Sequence, residues 1–320
     1  MEKKVGLVGT AAPTGIGNRN RWLWNNLPFL SWHVTPHNLF GITEQANSIE
    51  YSNDVDWADD FLKTIDILVC EGFPNPSDLF EKAKARGIRT VLLSNPDTIL
   101  KTNEWLPFTD TIIVRTIKGM LEVNDETSHP DVRYCPTPID LKEFPFTKRT
   151  TARHFGHICG LGGLLNRKSV DVIQKIPEIK IHNQRLINGE YHHLETPDML
   201  YKDFDVIVQP SKWANVDNAI LEAMASGCVV MTTDLEPMSH YLKESFAFDW
   251  QYLKPESIEF VEIFGKKKQI AFPSLENIQE SINSIKDRVD LQTSSVNARN
   301  YVERTHGESA FKKIWEIIHE

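Results

Sequence analysis

The sequence lacks the features that would assign it at once to a secreted or membrane-spanning class. It has no run of about 18 apolar residues, and its N-terminus, MEKKVGLVGT, is too short in its apolar part for a signal peptide. Its four cysteines are widely spaced with no Cys-x-x-Cys pair, which predicts buried thiols and no disulfide framework. They are Cys70, Cys135, Cys159 and Cys228. These absences predict a soluble, cytoplasmic protein.

The sequence also has little that predicts a metal site or a nucleic-acid surface. The DVD at 54–56 follows a turn-like segment, and the YHH at 191–193 lacks further ligands at metal spacing. The formal net charge of −9 argues against a surface that grips phosphate backbones. Two short basic runs, at 146–154 and 265–269, are interpreted as solvated loops.

What is present is a globular composition in which strand and helix patterns alternate. Hydrophobic residues make up 41% of the 320 residues and charged residues 25%, enough for two domains with a core each. Apolar strand patterns alternate with amphipathic stretches, as in KKVGLVG followed by NRNRWLWNNLPFL, and the helix pattern NPSDLFEKAKARG ends at a glycine. The rhythm predicts an α/β fold of two Rossmann-like, doubly wound domains facing each other across a cleft.

A proline-rich segment interrupts this rhythm near the middle of the chain. YCPTPIDLKEFPFTKRTTAR contains three prolines and two charged clusters, which is typical of an interdomain linker. The boundaries predicted from it are a first domain over 1–145, a second domain over 146–300, and a terminal segment over 301–320.

Two glycine-containing loops follow first strands, where parallel sheets bind ligands. Gly15 and Gly17 in GTAAPTGIGNRNRWLW would let the backbone approach an anion at a helix start, but the spacing is not Gly-x-Gly-x-x-Gly, and a purely structural turn explains it equally well. The loop HICGLGGLLNRKSVDVI places three glycines ahead of Arg167 and Lys168, and two cations at a helix start are favourable when an anion binds there. Those glycines are Gly160, Gly162 and Gly163.

A third stretch, PSKWANVDNAILEAMASGC, runs from a strand end at Pro210 into a helix that contains Glu222. A carboxylate on the helix face toward the cleft accepts hydrogen bonds from both hydroxyls of a ribose. The alternative for a single helical glutamate is a solvent-facing position.

Together these stretches resemble the large family of retaining GT-B glycosyltransferases that includes sucrose synthases and lipopolysaccharide and mannosyl transferases. PSKWANVDNAILEAMASGCVVMTTD is similar to the donor-nucleotide signature, CPTPIDLKEF to the interdomain segment, and GLGGLLNRKSVDVI to the phosphate loop. The resemblance is strongest to a compact branch, glycosyltransferase family 4-like, found in phage and bacteria. It implies that ARNYVERTHGESAFKKIWEII forms closing helices that pack back on the first domain.

The chain departs from the family pattern at several positions. The first of the two signature glutamates falls on Ala214, while Glu222 matches the second. Asp217 and Asn218, in the same loop, are expected to supply polar contacts to the donor sugar instead. The histidine that many members carry after the fourth strand is absent, and Glu71 lies near that place.

The resemblance implies transfer of a sugar from a UDP-sugar or a GDP-sugar to a hydroxyl of the acceptor. The acceptor would be a glycan, a small molecule or a modified DNA base. Arg167 and Lys168 would stabilise the departing diphosphate as the catalytic groups, and Lys168 occupies the position of the family's lysine. No metal and no cofactor beyond the nucleotide sugar are implied, and the anomeric configuration would be retained.

Two other functions remain open from the sequence. Loss of the glutamate at Ala214 is typical of a GT-B pseudoenzyme that binds a nucleotide or glycan without turnover. A phage-type DNA-base transferase would use Arg19, Arg21, Trp22 and Trp24 to hold a flipped base, although two tryptophans that are two positions apart on a helix place at least one in the core.

Overall fold

The fold is taken from a computed structural model that describes residues 3–12, 14–36, 49–50, 57–160, 166–184, 186–187, 190–191, 197–263 and 265–320. The chain divides into two compact units. Unit 1 comprises Met1–Pro138 together with Glu308–Glu320, and unit 2 comprises Ile139–Gly307. The sequence pattern predicts boundaries after residues 145 and 300, within eight residues of these.

Unit 1 is built on a parallel sheet of seven strands with the order β3-β2-β1-β4-β5-β6-β7. Its strands are β1 Val5–Thr10, β2 Ser31–Thr35, β3 Ile49–Glu50, β4 Ile67–Glu71, β5 Arg89–Leu93, β6 Thr111–Val114 and β7 Val132–Tyr134. Its first helices are α1 Gly15–Asn26, α2 Trp57–Leu62, α3 Leu79–Ala85 and α4 Ile117–Thr127. Because the strand order reverses between β1 and β4, the carboxyl ends of these two strands flank the switch point at which open α/β sheets bind ligands.

Apolar side chains hold the unit 1 sheet to its helices. Strand residues such as Leu68 and Leu92 pack with Phe61 and Phe80 of the helices in one buried cluster. Thr14 caps α1 by accepting a hydrogen bond from the Gly17 amide, which supplies a partner for one of the free amides of the first turn.

Unit 2 has a parallel sheet of five strands with the order β14-β13-β12-β8-β9, and two antiparallel pairs, β10-β11 and β15-β16. Its strands are β8 Phe155–Gly160, β9 Ile179–Gln184, β10 Leu186–Ile187, β11 Glu190–Tyr191, β12 Val206–Gln209, β13 Val229–Thr233, β14 Tyr252–Leu253, β15 Pro255–Ile263 and β16 Lys266–Pro273. Its helices are α5 Val170–Ile173, α6 Pro197–Leu200, α7 Asn218–Ala225, α8 Met238–Glu244, α9 Leu275–Ile285 and α10 Gln292–His306. Here the switch point lies between β8 and β12.

The last helix, α11 Glu308–His319, belongs to unit 1. The ring of Trp315 meets Phe29 edge to face at 5.5 Å, the Arg89 guanidinium donates to the Ile317 carbonyl at 3.3 Å, and the Cys135 thiol donates to the Ala310 carbonyl at 3.7 Å. The apolar side of this amphipathic helix is thereby buried within unit 1.

The two parallel sheets confirm the predicted pair of Rossmann-like domains. The four cysteines are buried and unpaired, as expected. The interpretation of the basic runs as solvated loops was wrong in part. In the first run Arg149 is buried, and its guanidinium donates to the carbonyls of Tyr201 and Lys202. Most of the second run lies in strand β16, where Lys266 is buried. No helix in the described part of the chain has both the length and the apolar character needed to cross a bilayer.

Candidate functional site

Two loops meet at the switch point of the unit 2 sheet. One is described over residues 166–169, after β8 in the chain, and the other follows β12 and leads into α7. The Lys212 amide donates to the Arg167 carbonyl at 2.8 Å, and the Ser169 hydroxyl donates to the Pro210 carbonyl at 2.6 Å. These bonds join the predicted phosphate loop to the predicted donor signature, although the stretches are more than 40 residues apart in the chain.

The side chain of Lys168 crosses between these loops to form a buried ion pair with Asp217. The Ser211 hydroxyl donates to the same carboxylate oxygen, Oδ2, at 2.6 Å, and the other oxygen, Oδ1, has no hydrogen-bond partner among the described residues. Burial alone would raise the pKa of Asp217, but Lys168 and Ser211 outweigh it and hold the pKa below its ordinary value. Burial also lowers the pKa of the Lys168 amine, against the opposing effect of Asp217.

Arg167 has a different environment from its neighbour. Its guanidinium lies over the ring of Trp213, with 5.2 Å between the central carbon and the ring centroid, and no carboxylate forms an ion pair with it among the described residues. Trp213 is fixed in turn, since it packs with Ile263 of β15 and Ile270 of β16. Lys168 is thus paired directly with Asp217, whereas Arg167 acts on Asp217 through its charge and forms no direct ion pair among the described residues.

Glu222 lies in the middle of α7 and is buried, with 8% of its surface exposed. The Tyr201 hydroxyl donates to its Oε2 at 2.7 Å. Burial raises the pKa of Glu222 from 4.5 to about 7; the hydrogen bond from Tyr201 opposes this rise and the charge of Asp217 adds to it. A solvent-facing position for Glu222 is thus excluded by the fold.

The backbone at Tyr201 is held in place by two hydrogen bonds. Its carbonyl accepts a hydrogen bond from the Arg149 guanidinium at 2.9 Å and another from the Cys228 thiol at 3.4 Å. Burial and the neighbouring Glu222 raise the pKa of Tyr201 well above its ordinary value, so the phenol remains a hydrogen-bond donor at neutral pH.

The remaining predicted residues of unit 2 fall in three places. Gly160 is the last residue of β8, and Asn218 is the first residue of α7. Ala214 is buried in the loop ahead of α7, where the family carries its first glutamate. Gly162 and Gly163 lie outside the described residues.

In unit 1, Gly15 begins α1, and Gly17 has a structural reason to be glycine. A Cβ atom at Gly17 would come within 1.8 Å of the Ala12 carbonyl oxygen, so no other residue fits without moving the backbone. This close approach favours the structural turn over the ligand loop as the explanation for Gly17.

The residues suggested for a flipped DNA base are engaged within unit 1. Trp22 is fully buried, which confirms that one of the two tryptophans is a core residue, while Trp24 packs against Trp32 with 5.9 Å between ring centroids. Arg19 is buried against Glu71, and Arg21 donates to the Ala11 carbonyl at 2.8 Å. Arg19 and Trp22 are therefore buried, and Arg21 and Trp24 are only partly exposed.

Within the described residues, no cluster of three His, Cys, Asp or Glu side chains is arranged to hold a metal ion. The DVD at 54–56 and the two histidines that follow Tyr191 lie outside the described residues.

Sequence reasoning missed three residues of the site, Tyr201, Ser211 and Trp213. The segment MLYKDF around Tyr201 has an apolar pattern that indicates burial only, and nothing in it points to a glutamate that lies 21 residues further along the chain. Ser211 directly follows Pro210 in the family-like stretch, which was the one available signal.

Residues 155–249, which include both loops and α7, match the family described as glycosyl transferases group 1. No curated protein matches the sequence significantly. Solved structures resemble the chain in fold at low sequence identity. Sucrose-phosphate synthase from Thermosynechococcus elongatus superposes with a TM-score of 0.63 at 12% identity, covering 99% of this chain and 98% of that one.

Two further structures show the same relationship. WaaG, a glycosyltransferase involved in lipopolysaccharide biosynthesis, has a TM-score of 0.58 at 11% identity and covers 98% of this chain and 99% of its own. The pneumococcal O-GlcNAc transferase GtfA, in complex with UDP and GlcNAc, has a TM-score of 0.52 at 14% identity over 79% of this chain and 56% of its own. The chain thus has the GT-B fold of these transferases, and residues 155–249 of its second unit are similar to the glycosyl transferases group 1 family.

Proposed function

We propose that the chain transfers a sugar from a nucleoside diphosphate, UDP or GDP, to an acceptor hydroxyl with retention at the anomeric carbon. The observation that carries the proposal is the meeting of two loops in unit 2, which places Arg167 and Lys168 beside the residues that lead into α7. The match of residues 155–249 to glycosyl transferases group 1 supports it, as does the UDP bound to GtfA, a neighbour in fold.

The two cations are suited to act on the diphosphate. Negative charge grows on the leaving diphosphate as its bond to the sugar breaks, so a fixed cation stabilises the transition state more than the bound donor. Arg167 would meet the diphosphate directly, because no carboxylate pairs with it among the described residues. Lys168 would exchange Asp217 for a phosphate oxygen when the donor binds.

The amino end of α7 adds to this field. Its first turn contains no acidic residue, and the Asp217 side chain does not cap the helix. The helix dipole at this end therefore favours an anion, such as a phosphate oxygen, next to the two cations.

Glu222 is suited to the ribose. Oε2 accepts the Tyr201 hydroxyl, which fixes the orientation of the carboxylate, and Oε1 is left to accept from ribose hydroxyls. Since a carboxylate accepts more hydrogen bonds than a carboxylic acid, the ionised form would bind the ribose better. The pKa of about 7 makes this preference measurable near neutral pH.

Retention and the lack of a metal requirement enter by resemblance to the family. The leaving phosphate would then serve as the base for the acceptor hydroxyl, and no nucleophile from the protein would be required. Activity that survives removal of divalent metals by EDTA, with a product of unchanged anomeric configuration by NMR, would support both points.

A second candidate function, nucleotide or glycan binding without turnover, is favoured by two observations. Ala214 leaves the donor sugar without the family's first glutamate, and the charge of Lys168 is neutralised by Asp217. The two functions differ in one measurable property. A transferase hydrolyses its donor slowly in the absence of acceptor, whereas a binding protein leaves the nucleotide sugar intact.

The first experiment is a thermal-shift panel with UDP, GDP, ADP and CDP. A nucleotide at 100 times its dissociation constant should add about 2.7 kcal/mol to the free energy of unfolding. The same panel on Glu222→Gln should show a smaller shift for the preferred nucleotide, because the amide accepts fewer hydrogen bonds. If no nucleotide stabilises the protein, the donor site is wrongly assigned.

The second experiment separates transfer from binding by measuring donor hydrolysis and nucleotide affinity in Arg167→Ala and Lys168→Ala. Loss of a contact that strengthens in the transition state should lower turnover by at least ~10²-fold with a much smaller change in affinity. Lys175→Ala is the matched control, since Lys175 is an exposed lysine shortly after the same loop. Equal losses in rate and affinity would mean a simple anion site, and normal affinity without hydrolysis in the unmodified protein would favour the binding protein.

A further inference from the structure

Unit 1 contains a second buried charged cluster, separate from the loops of unit 2. Glu71, the last residue of β4, accepts hydrogen bonds on Oε1 from Nε and Nη2 of Arg19 at 2.9 and 2.7 Å, and on Oε2 from Nη2 of Arg115 at 2.7 Å. Arg19 lies on α1, which follows β1, and Arg115 directly follows β6. The three side chains therefore gather at the carboxyl edge of the unit 1 sheet, next to the β1/β4 switch point.

The cluster does not balance its own charge. Two guanidinium groups share one carboxylate, and all three side chains are at least 95% buried. Burial pushes the pKa of Glu71 upward, but the charges of Arg19 and Arg115 outweigh it and leave the pKa below its ordinary value, so the carboxylate is ionised. A net positive charge is thus held out of water, which is unfavourable unless an anion joins the cluster.

Arg115 also has hydrogen-bond donors that are not satisfied by the described residues. Its Nε and Nη1 atoms are buried and have no hydrogen-bond partner among the described residues, although a buried guanidinium ordinarily has its donors satisfied. A water molecule would satisfy these donors without balancing the charge. An oxyanion does both, because it supplies a negative charge and several acceptor oxygens in different directions.

The neighbouring helix ends add to the positive potential. Thr116, the residue after Arg115, caps α4, and neither α1 nor α4 has an acidic residue in its first turn. The positive ends of both helix dipoles are therefore not offset by a nearby carboxylate of the first turn.

We propose that this cluster binds an anionic group, a phosphate or a carboxylate, carried by the acceptor substrate. The acceptor assignment rests on the proposed function, which places the donor diphosphate in unit 2 and requires a second substrate. The anion site itself rests only on the three side chains and their unmatched charge.

Inorganic phosphate is the first probe, and its stabilisation of the full chain against heat is the readout. Every protein in the comparison also carries Arg167→Gln, so that phosphate bound near α7 adds little to the measured stabilisation. Arg115→Gln should weaken phosphate binding by about tenfold or more, the effect of losing one charge-assisted hydrogen bond. Arg133→Gln is the matched control and should leave phosphate binding unchanged, because Arg133 is a partly exposed arginine of the same unit that pairs with Asp131.

Glu71→Gln gives the opposite sign and guards against a folding artefact. Removing the carboxylate raises the net charge of the cluster, so phosphate should bind more tightly even though the protein itself becomes less stable. A purely structural cluster would be destabilised by both variants with no change in phosphate affinity. That result, or equal phosphate stabilisation in Arg115→Gln and Arg133→Gln, overturns the proposal.

The source of the anionic group is tested separately in the unmodified chain. If the ligand is an acceptor, phosphate and UDP should bind together, and glucose 6-phosphate should stabilise the UDP-saturated protein more than glucose does. Full competition between UDP and phosphate would assign the cluster to the donor and overturn the acceptor assignment. Phosphate binding that depends on Arg115 in a protein that binds no nucleotide would instead refute the proposed function and leave the anion site standing.

Discussion

The buried carboxyl group of Glu222 predicts an unusual dependence of stability on pH. Its pKa rises from 4.5 to about 7 on folding, mainly because burial disfavours the charged form. The folded protein therefore keeps a proton on this group between about pH 4.5 and about pH 7, while the unfolded chain has lost it. Stability from this group is fully present below about pH 4.5 and is lost as the pH rises to about 7.

The size of the effect follows from the shift. At 1.36 kcal/mol per pKa unit, a rise of about 2.5 units corresponds to about 3 kcal/mol of free energy of unfolding across this window. His157, in the same unit, acts in the opposite direction, because burial lowers its pKa to about 4 and its stability contribution is lost as the pH falls below the ordinary value of 6.5. The pH dependence of the stability of the unmodified protein alone therefore does not separate the effect of Glu222 from that of His157. The difference between the unmodified protein and Glu222→Gln does separate them.

The assay is urea unfolding of the unmodified protein and of Glu222→Gln at about pH 5 and at about pH 8. Between these two conditions the free energy of unfolding of the unmodified protein should fall by about 2.5 kcal/mol more than that of the variant, since part of the full effect is already lost at pH 5. Glu244→Gln is the control, because Glu244 is exposed on α8 and meets water in both the folded and unfolded chain. A difference between the unmodified protein and Glu222→Gln that stays constant with pH would refute the buried, protonated carboxyl.

The other predictions concern the contacts around the same helix. Tyr201→Phe removes the hydrogen bond to Glu222 and should lower the free energy of unfolding, measured with urea, by about 1.5–3 kcal/mol. It should also weaken the binding of the preferred nucleotide, measured by calorimetry. Unchanged values for both quantities would contradict the role given to the phenol. Asp217→Asn leaves Lys168 buried without its ion pair and should lower the free energy of unfolding by about 3 kcal/mol or more, and adding Lys168→Met should recover most of the loss, since a pair of neutral side chains carries no unmatched charge. A double variant no more stable than Asp217→Asn would show that the pair is not coupled as described.

The alternation of strands and helices was predictable because each element is encoded locally. The strand and helix periods stand out in the apolar pattern, and Gly87 ends the region of α3 with a φ of +73°, a conformation that favours glycine. The β15-β16 hairpin was missed, although FVEIFGKKKQIAF has a glycine between two strand-like runs. The charge of its lysines predicts a loop, whereas the alternation of apolar residues on either side of the glycine predicts the strands that form.

The site was predictable only where a recognisable stretch carried it. The family-like pattern pointed to Glu222, Asp217 and Lys168 one by one, but the ion pair between the last two depends on how β8 and β12 lie side by side. The same holds for Arg19, Glu71 and Arg115, which come from three separate βα units. Contacts of this kind follow from the order of strands in the sheet, which the linear pattern does not contain.

The division of unit 1 between the two ends of the chain has a consequence for biosynthesis. The surface that receives Phe311, Ile314 and Ile318 of α11 is made before unit 2, yet the helix that covers it is made only after the whole of unit 2. Unit 2 is continuous in sequence and can complete its fold first. During that time the apolar surface of unit 1 that α11 later covers is exposed to water. The nascent chain is therefore most exposed to aggregation, and most in need of a chaperone, in the interval between the synthesis of the unit 1 sheet and the emergence of α11.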